Sequence, residues 1–118
     1  MKPDAELPVI RLVYEFTVWL IPKIGKFPRD LRFTLGETLE RQTLTILEQL
    51  IRARYRVDRA AILEDVNTEL EVLRYLLRVA HELRALPGKA YGDSATKLVE
   101  IGQQVGGWKK ASERRRES

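Results

Sequence analysis

The chain has no cysteine and one histidine among its 118 residues. Without cysteine there is no disulfide, no thiolate zinc site and no cysteine nucleophile. The lone His81 is too little for hydrolytic catalysis, which sets a base beside a serine, threonine or cysteine and orients it with a third group. Bundle di-metal sites repeat Glu-x-x-His twice, and here the residue three before His81 is Arg78. His81 follows Leu77 by four and adjoins Ala80, so it is expected to border the core or a subunit contact. The seven glycines form neither a phosphate-binding loop ending in Lys-Ser/Thr nor a dinucleotide fingerprint, so no nucleotide site and no cofactor are expected. The longest stretch free of charge is the eight positions from Ile101 to Trp108, far below the roughly 20 apolar residues that cross a bilayer. The first residues (Met1, Lys2, Pro3, Asp4, Ala5, Glu6) carry two acids and lead into no apolar signal core. A cytoplasmic protein that inserts in no membrane is expected.

What remains is a single globular domain. Apolar residues make up 44% and charged residues 32%, so a normal core lies beneath a heavily charged skin. Lys and Arg number 21 against 17 acids, and the 14 arginines are twice the lysines. Residues 109–118 hold five bases and two acids and so carry +3 of the net +4. The rest is patchy: residues 52–59 hold four Arg and one Asp, whereas residues 60–82 hold five acids and two Arg.

Apolar positions recur with a period near 3.6 and no convincing strict alternation is present, which predicts an all-α protein. A first helix is expected from about Pro8 to Ile24, with Leu7, Ile10, Val13, Tyr14, Thr17, Val18 and Ile21 on its buried stripe and a kink or early stop at Pro22. Gly25 to Pro28 form a break. A second helix runs from Pro28 or Arg29 to about Tyr55 or Val57 and buries Leu35, Leu39, Ile46 and Leu50. Asp58 is the expected N-cap of a third helix that begins near Arg59, buries Leu63, Val66, Leu70, Leu73, Leu77 and Ala80, and ends at Leu86 before Pro87-Gly88. A fourth helix from about Lys89 turns Tyr91, Ala95, Leu98, Ile101 and Val105 inward and stops at Gly106-Gly107. Gly102 and Gly106, four apart, are expected to mark tight helix packing. Short connections make these helices antiparallel neighbours, so the expected fold is an up-down-up-down four-helix bundle over residues 1–108. Residues 109–118 bury nothing and are expected to form a disordered basic tail.

The arginines are the candidate site. Arg41, Arg52, Arg56 and Arg59 lie at offsets of 11, 4 and 3, nearly one line along the second helix and into the turn. Arg74 and Arg78 form a second row on the third helix, continued by His81. Guanidinium groups keep their charge and donate bidentate hydrogen bonds to phosphate. The same residues could equally be solvated partners of Glu48, Glu71 or Glu82, as Glu37 and Glu40 could be of Arg41. The basic tail could strengthen nucleic-acid binding or only aid solubility. Tyr55 stands among Arg52, Arg54 and Arg56, where a ring could stack on a base, yet it also extends the buried stripe. Trp19, Phe27, Phe33 and Trp108 lie near helix ends, which suits packing between helices or subunits.

Several strings carry a family resemblance: Trp19-Leu20-Ile21-Pro22-Lys23, then Lys26-Phe27-Pro28-Arg29-Asp30-Leu31-Arg32-Phe33, then Leu73-Arg74-Tyr75-Leu76-Leu77-Arg78-Val79-Ala80-His81-Glu82-Leu83, and Ile101-Gly102 through Gly106-Gly107-Trp108-Lys109. They resemble the accessory variability determinant (Avd) proteins of diversity-generating retroelements, part of a wider group of four-helix bundles that includes proteins encoded in ribosomal-RNA intervening sequences. The resemblance covers nearly the whole chain except its first few residues and the tail. It implies a homopentameric barrel of bundles with a basic surface. It also implies binding to RNA and DNA and association with the element's reverse transcriptase, without catalysis by the barrel itself. Arg29, Arg32, Arg74 and Arg78 match basic positions of these strings; Arg41, Arg52, Arg56 and Arg59 rest on periodicity alone. The leading expectation is a non-enzymatic scaffold that grips nucleic acid through its backbone. The rival is a stand-alone bundle that oligomerises or caps another protein and ignores nucleic acid.

Overall fold

The computed structural model describes residues 7–117, with side chains through Arg115. Its elements are α1 (Pro8–Ile24), α2 (Arg29–Leu31), a π-helical turn (Arg32–Gly36), α3 (Glu37–Arg54), α4 (Ala60–Glu82) and α5 (Gly88–Glu117). No strand occurs among the described residues. Because α2, the π turn and α3 are continuous, the molecule has four long helices. Helix α1 packs on α3 and α5, and α4 packs on the same two, so each long helix lies beside its sequence neighbours. The result is the up-down-up-down bundle, 51 × 27 × 22 Å in extent. Among the described residues no helix is long and apolar enough to cross a membrane.

Helix α1 begins at Pro8, whose missing N–H lies among the donors that have no intrahelical partner anyway. Pro22 does not stop it. With only two helical residues after it, little of the ladder remains to be lost, and the Gly25 amide still donates to the Ile21 carbonyl at 3.2 Å. The buried face is Val9, Ile10, Val13, Phe16, Thr17, Leu20 and Ile24. Tyr14 and Val18, expected inside, are 55% and 57% exposed. Arg11 and Glu15 mark the outward face of this helix, and Tyr14 and Val18, each three residues after one of them, share that face. The Thr17 hydroxyl, within the core, donates to the Val13 carbonyl at 2.7 Å.

The second long helix contains the π turn that periodicity did not reveal. This wider turn ends at the buried Gly36, where an added Cβ would stand 2.9 Å from Cγ2 of Ile24. The close approach of α1 and the π turn therefore requires a residue without a side chain. Beyond it, α3 buries Leu39, Thr43, Ile46, Leu50 and Ala53 at spacings of three and four. Gln42 ties it to α4, donating to both the main-chain carbonyl and the carboxylate of Glu69 at 2.9 and 2.8 Å.

Helix α4 buries the expected Leu63, Val66, Leu70, Leu73, Leu77 and Ala80. Its two ends differ from expectation. Arg59, not Asp58, holds the N-cap position, and its own side chain makes no cap hydrogen bond. At the other end the helix stops at Glu82, four residues before Leu86, because Arg84 adopts φ 64°. The Ala85 amide then reaches back to the Ala80 carbonyl at 2.8 Å and the Arg84 amide to the His81 carbonyl at 2.9 Å. This paired pattern is a Schellman closure with arginine where glycine is usual.

Helix α5 departs furthest from the sequence reading. It was expected to stop at Gly106-Gly107, with residues beyond 108 disordered, and instead it continues to Glu117. Both glycines keep negative φ, so they weaken the helix without turning the chain. Trp108 packs against the core, Ala111 and Ser112 are half-buried, and Lys109 pairs with Glu113 at 3.2 Å. These contacts offset the cost of two glycines, roughly 1 kcal/mol each. Leu98, Ile101 and Val105 are buried as expected, whereas Ala95 is exposed and Ser94 takes the inward position, its hydroxyl donating to the Tyr91 carbonyl at 2.7 Å.

Candidate nucleic-acid interface

The antiparallel arrangement gives the bundle two ends. One carries the break at residues 25–28 and the turn at 83–87. The other carries the start of α1, the turn at 55–59 and the last turns of α5. The eight arginines singled out in the sequence are distributed over both ends and the waist between them.

Arg29 and Arg32 lie at the first end. Arg29 is exposed, while Arg32 donates to the Phe27 carbonyl at 3.2 Å and lies 6.0 Å from the Phe33 ring centroid. Arg32 thus helps hold the break before α2. Arg78, on the α4 turn nearest this end, is exposed and pairs with Glu82 at 3.2 Å. Such an exposed pair contributes little and leaves the guanidinium reachable.

At the waist, Arg41 is exposed on α3. Arg74 is engaged within the protein. It pairs with Glu71 at 3.1 Å, and its Nη2 donates to the Leu98 carbonyl of α5 at 3.3 Å. A Cβ at residue 102 would stand 2.9 Å from that Nη2, so glycine there lets the guanidinium lie where it does without shifting. Arg74 therefore ties α4 to α5, and Gly102 makes room for a guanidinium where close backbone packing was expected. An added Cβ at Gly106 would meet nothing within 4 Å. His81 does not continue the arginine row; its ring stacks on Tyr91 at 4.7 Å and 5°, with Nδ1 3.1 Å from the Leu86 carbonyl oxygen.

The second end holds the concentrated charge. Helix α3 ends at Arg54, so Arg52 projects from its last turn while Tyr55 and Arg56 belong to the connection. Arg52 and Arg56 are exposed, and Tyr55 is 69% exposed, outside the core stripe it could have extended. Arg59 folds back: its Nε donates to the Arg56 carbonyl at 2.9 Å, and its guanidinium lies 5.5 Å from the Trp108 ring centroid. The extension of α5 faces this turn. Val57, Arg59, Trp108, Ala111, Ser112 and Arg115 line an open groove of about 390 Å³ between them. The basic tail and the basic turn, separate features in the sequence, are thus one surface.

Trp108 is the functional candidate that sequence reasoning missed, and Arg115, read there only as part of a basic tail, lies on a helix beside the turn. The signal was present: a helix antiparallel to α4, continued past residue 106, must arrive beside the turn that starts α4. Reading the glycine pair as a stop concealed it. The arrangement provides fixed positive charge, an aromatic ring and a hydroxyl around open space. It provides no nucleophile–base pair, and among the described residues no group of His, Cys, Asp or Glu could hold a metal ion. No curated protein sequence matches the chain. The family model described as bAvd-like matches residues 8–112, which include the turn, Arg59 and Trp108 and stop short of Arg115.

Proposed function

We propose, from the premise that the chain belongs to the bAvd-like family, that it is a non-enzymatic accessory protein of a diversity-generating retroelement. In this reading it binds RNA and DNA through their backbones and presents them to the element's reverse transcriptase in the cytoplasm. The observation that carries the reading is the meeting of Arg59 and Arg115, from two segments far apart in sequence, in one open groove at the end of the bundle where Arg52 and Arg56 are also exposed. Fixed guanidinium groups on a rigid helical frame release counterions from phosphates and read no sequence. That suits a protein that handles a template and its copy alike.

Assembly into a homopentamer would repeat the basic end around a ring, so that weak contacts add as avidity. Exposed apolar side chains remain for such contacts: Val72, Tyr75, Val79 and Leu83 follow one face of α4 and its end, and Tyr14 and Val18 lie on α1. Helices α1 and α4 sit at opposite corners of the bundle, so these faces are available to a neighbouring copy and to the polymerase. Arg29, Arg32, Arg41 and Arg78 would widen the basic surface, with Arg74 acting through the fold.

A labelled RNA and a labelled DNA of unrelated sequence, titrated by anisotropy at several salt concentrations, test this reading. Comparable affinities and a log–log salt slope of about −0.7 per contacted phosphate for single strands or −0.9 for duplex are expected. Replacing Arg52, Arg56 and Arg59 together by Glu is expected to weaken both while helix content and light-scattering mass stay constant. The second reading, a stand-alone interaction module, is favoured by the pairing of Arg74 and Arg78 with Glu71 and Glu82. It predicts a stable assembly with no affinity for either strand at low salt.

A further inference from the structure

Trp108 lines two grooves. One is the basic groove with Val57, Arg59, Ala111, Ser112 and Arg115. The other, of about 420 Å³, lies between the start of α1 and α5 and is lined by Leu7, Pro8, Val9, Glu100, Gln103, Gln104, Gly107 and Trp108. The two differ in chemistry. The first offers guanidinium groups and a hydroxyl; the second offers an apolar floor with two amide side chains and the carboxylate of Glu100. Gly107 lines the second groove, and a Cβ there would meet no atom within 4 Å beyond its own chain neighbours. Trp108 is half-buried and held by its core contacts, so it forms a rigid wall common to both.

We propose that this pair of grooves is a site for single-stranded nucleic acid, in which a phosphate lies by Arg59 and Arg115 and an unpaired base enters the Gly107–Trp108 groove. This rests on the nucleic-acid reading above and adds a strand preference to it. The ligand class follows from the two chemistries side by side. A free anion would leave the apolar groove unused, and an apolar peptide would leave the guanidinium groups unused. A nucleotide unit has both parts on one short tether. The base gains the indole and the Leu7-Pro8-Val9 wall, while the amides of Gln103 and Gln104 can donate to or accept from its edge. A duplex keeps its bases stacked and cannot place one there without unpairing it. The site would therefore favour single strands with little sequence preference, because every base has a flat face to offer.

The test uses the full chain with Trp19→Phe, leaving Trp108 as the only indole of the two in the sequence. Its fluorescence is titrated with a ten-nucleotide single strand, with the same strand annealed to its complement, and with inorganic phosphate. The single strand is expected to quench Trp108, and neither the duplex nor phosphate to do so. Gly107→Leu places a side chain in the apolar groove and leaves Trp108 and every charged residue of the sequence in place. It is expected to weaken single-strand binding roughly ten-fold, within the range of one lost base stack, and to leave duplex binding unchanged. Trp108→Ala is expected to act in the same direction in an anisotropy assay with labelled strands. Should single strand and duplex bind equally well, with Gly107→Leu indistinguishable from its parent, the base site is refuted and backbone binding survives. If neither strand binds at low salt, the nucleic-acid reading and this site fall together.

Discussion

Replacing Gly36 by alanine and, separately, Gly92 by alanine is expected to move thermal stability in opposite directions. Both glycines lie in helical backbone without positive φ, so alanine gains roughly 0.5–1 kcal/mol at either place through the lower entropy of the unfolded chain. Their surroundings differ. A Cβ at Gly92 meets no atom within 4 Å, and the gain is retained. At Gly36 the new methyl would come to 2.9 Å from Cγ2 of Ile24, 3.4 Å from the Leu31 carbonyl oxygen and 3.7 Å from the Phe27 ring. Ile24 and Phe27 are each 1% exposed, so neither can swing into solvent. Overpacking a core by a methyl costs about 1–3 kcal/mol, and with two immobile neighbours the cost here lies in the upper part of that range, about 2–3, which leaves Gly36→Ala destabilised by about 1–2 kcal/mol. An unfolding entropy of about 2.1 cal/mol/K per residue makes each kcal/mol worth about 4 °C for a chain of 118 residues. Circular dichroism melts at matched protein concentration are therefore expected to show Gly36→Ala falling by about 4–8 °C and Gly92→Ala rising by about 2–4 °C. An unchanged or higher Tm for Gly36→Ala would mean that α1 and the π turn separate without cost, and the packing argument would fail.

Arg84→Gly is expected to raise Tm by about 4 °C, because a non-glycine residue at φ 64° costs about 1 kcal/mol; a lower Tm would show that the arginine side chain contributes more than its backbone strain. Arg74→Met removes the donor to the Leu98 carbonyl and the Glu71 partner, and a loss of about 1 kcal/mol in urea unfolding is expected. Equal stability would demote the tie between α4 and α5. The Oε1 atom of Gln49 is buried without a hydrogen-bond partner among the described residues, so Gln49→Met is expected to raise the urea midpoint, corresponding to about 1 kcal/mol. A clear destabilisation would point instead to a bond formed by Gln49 in an assembled state.

Much of this protein was legible before folding was considered. Spacings of three and four in Leu63, Val66, Leu70, Leu73, Leu77 and Ala80 give one helix face, set off in the first half of the helix by Glu64, Asp65, Asn67, Thr68, Glu69 and Glu71 around it. Proline and glycine mark the break at residues 25–28 and the turn near Pro87, since both act through local backbone sterics. The missing cysteines, the solitary histidine and the strings shared with a known family are likewise properties of the chain itself.

Tertiary structure decided the rest, wherever the local signal was degenerate or outweighed. In α1 apolar residues also adjoin the buried face, and packing on α3 and α5 buries Phe16 and Leu20 while Tyr14 and Val18 stay exposed. At Gly106-Gly107 a local preference to stop is overcome by the packing of Trp108 against the core and by the Lys109–Glu113 pair beyond it. Arg74 and Arg78, four apart on one helix, received different tasks because only Arg74 faces the space left by Gly102. The candidate site joins Arg59 to Arg115 and both to Trp108. No spacing encodes that proximity; it exists because antiparallel packing returns the end of α5 to the turn where α4 begins.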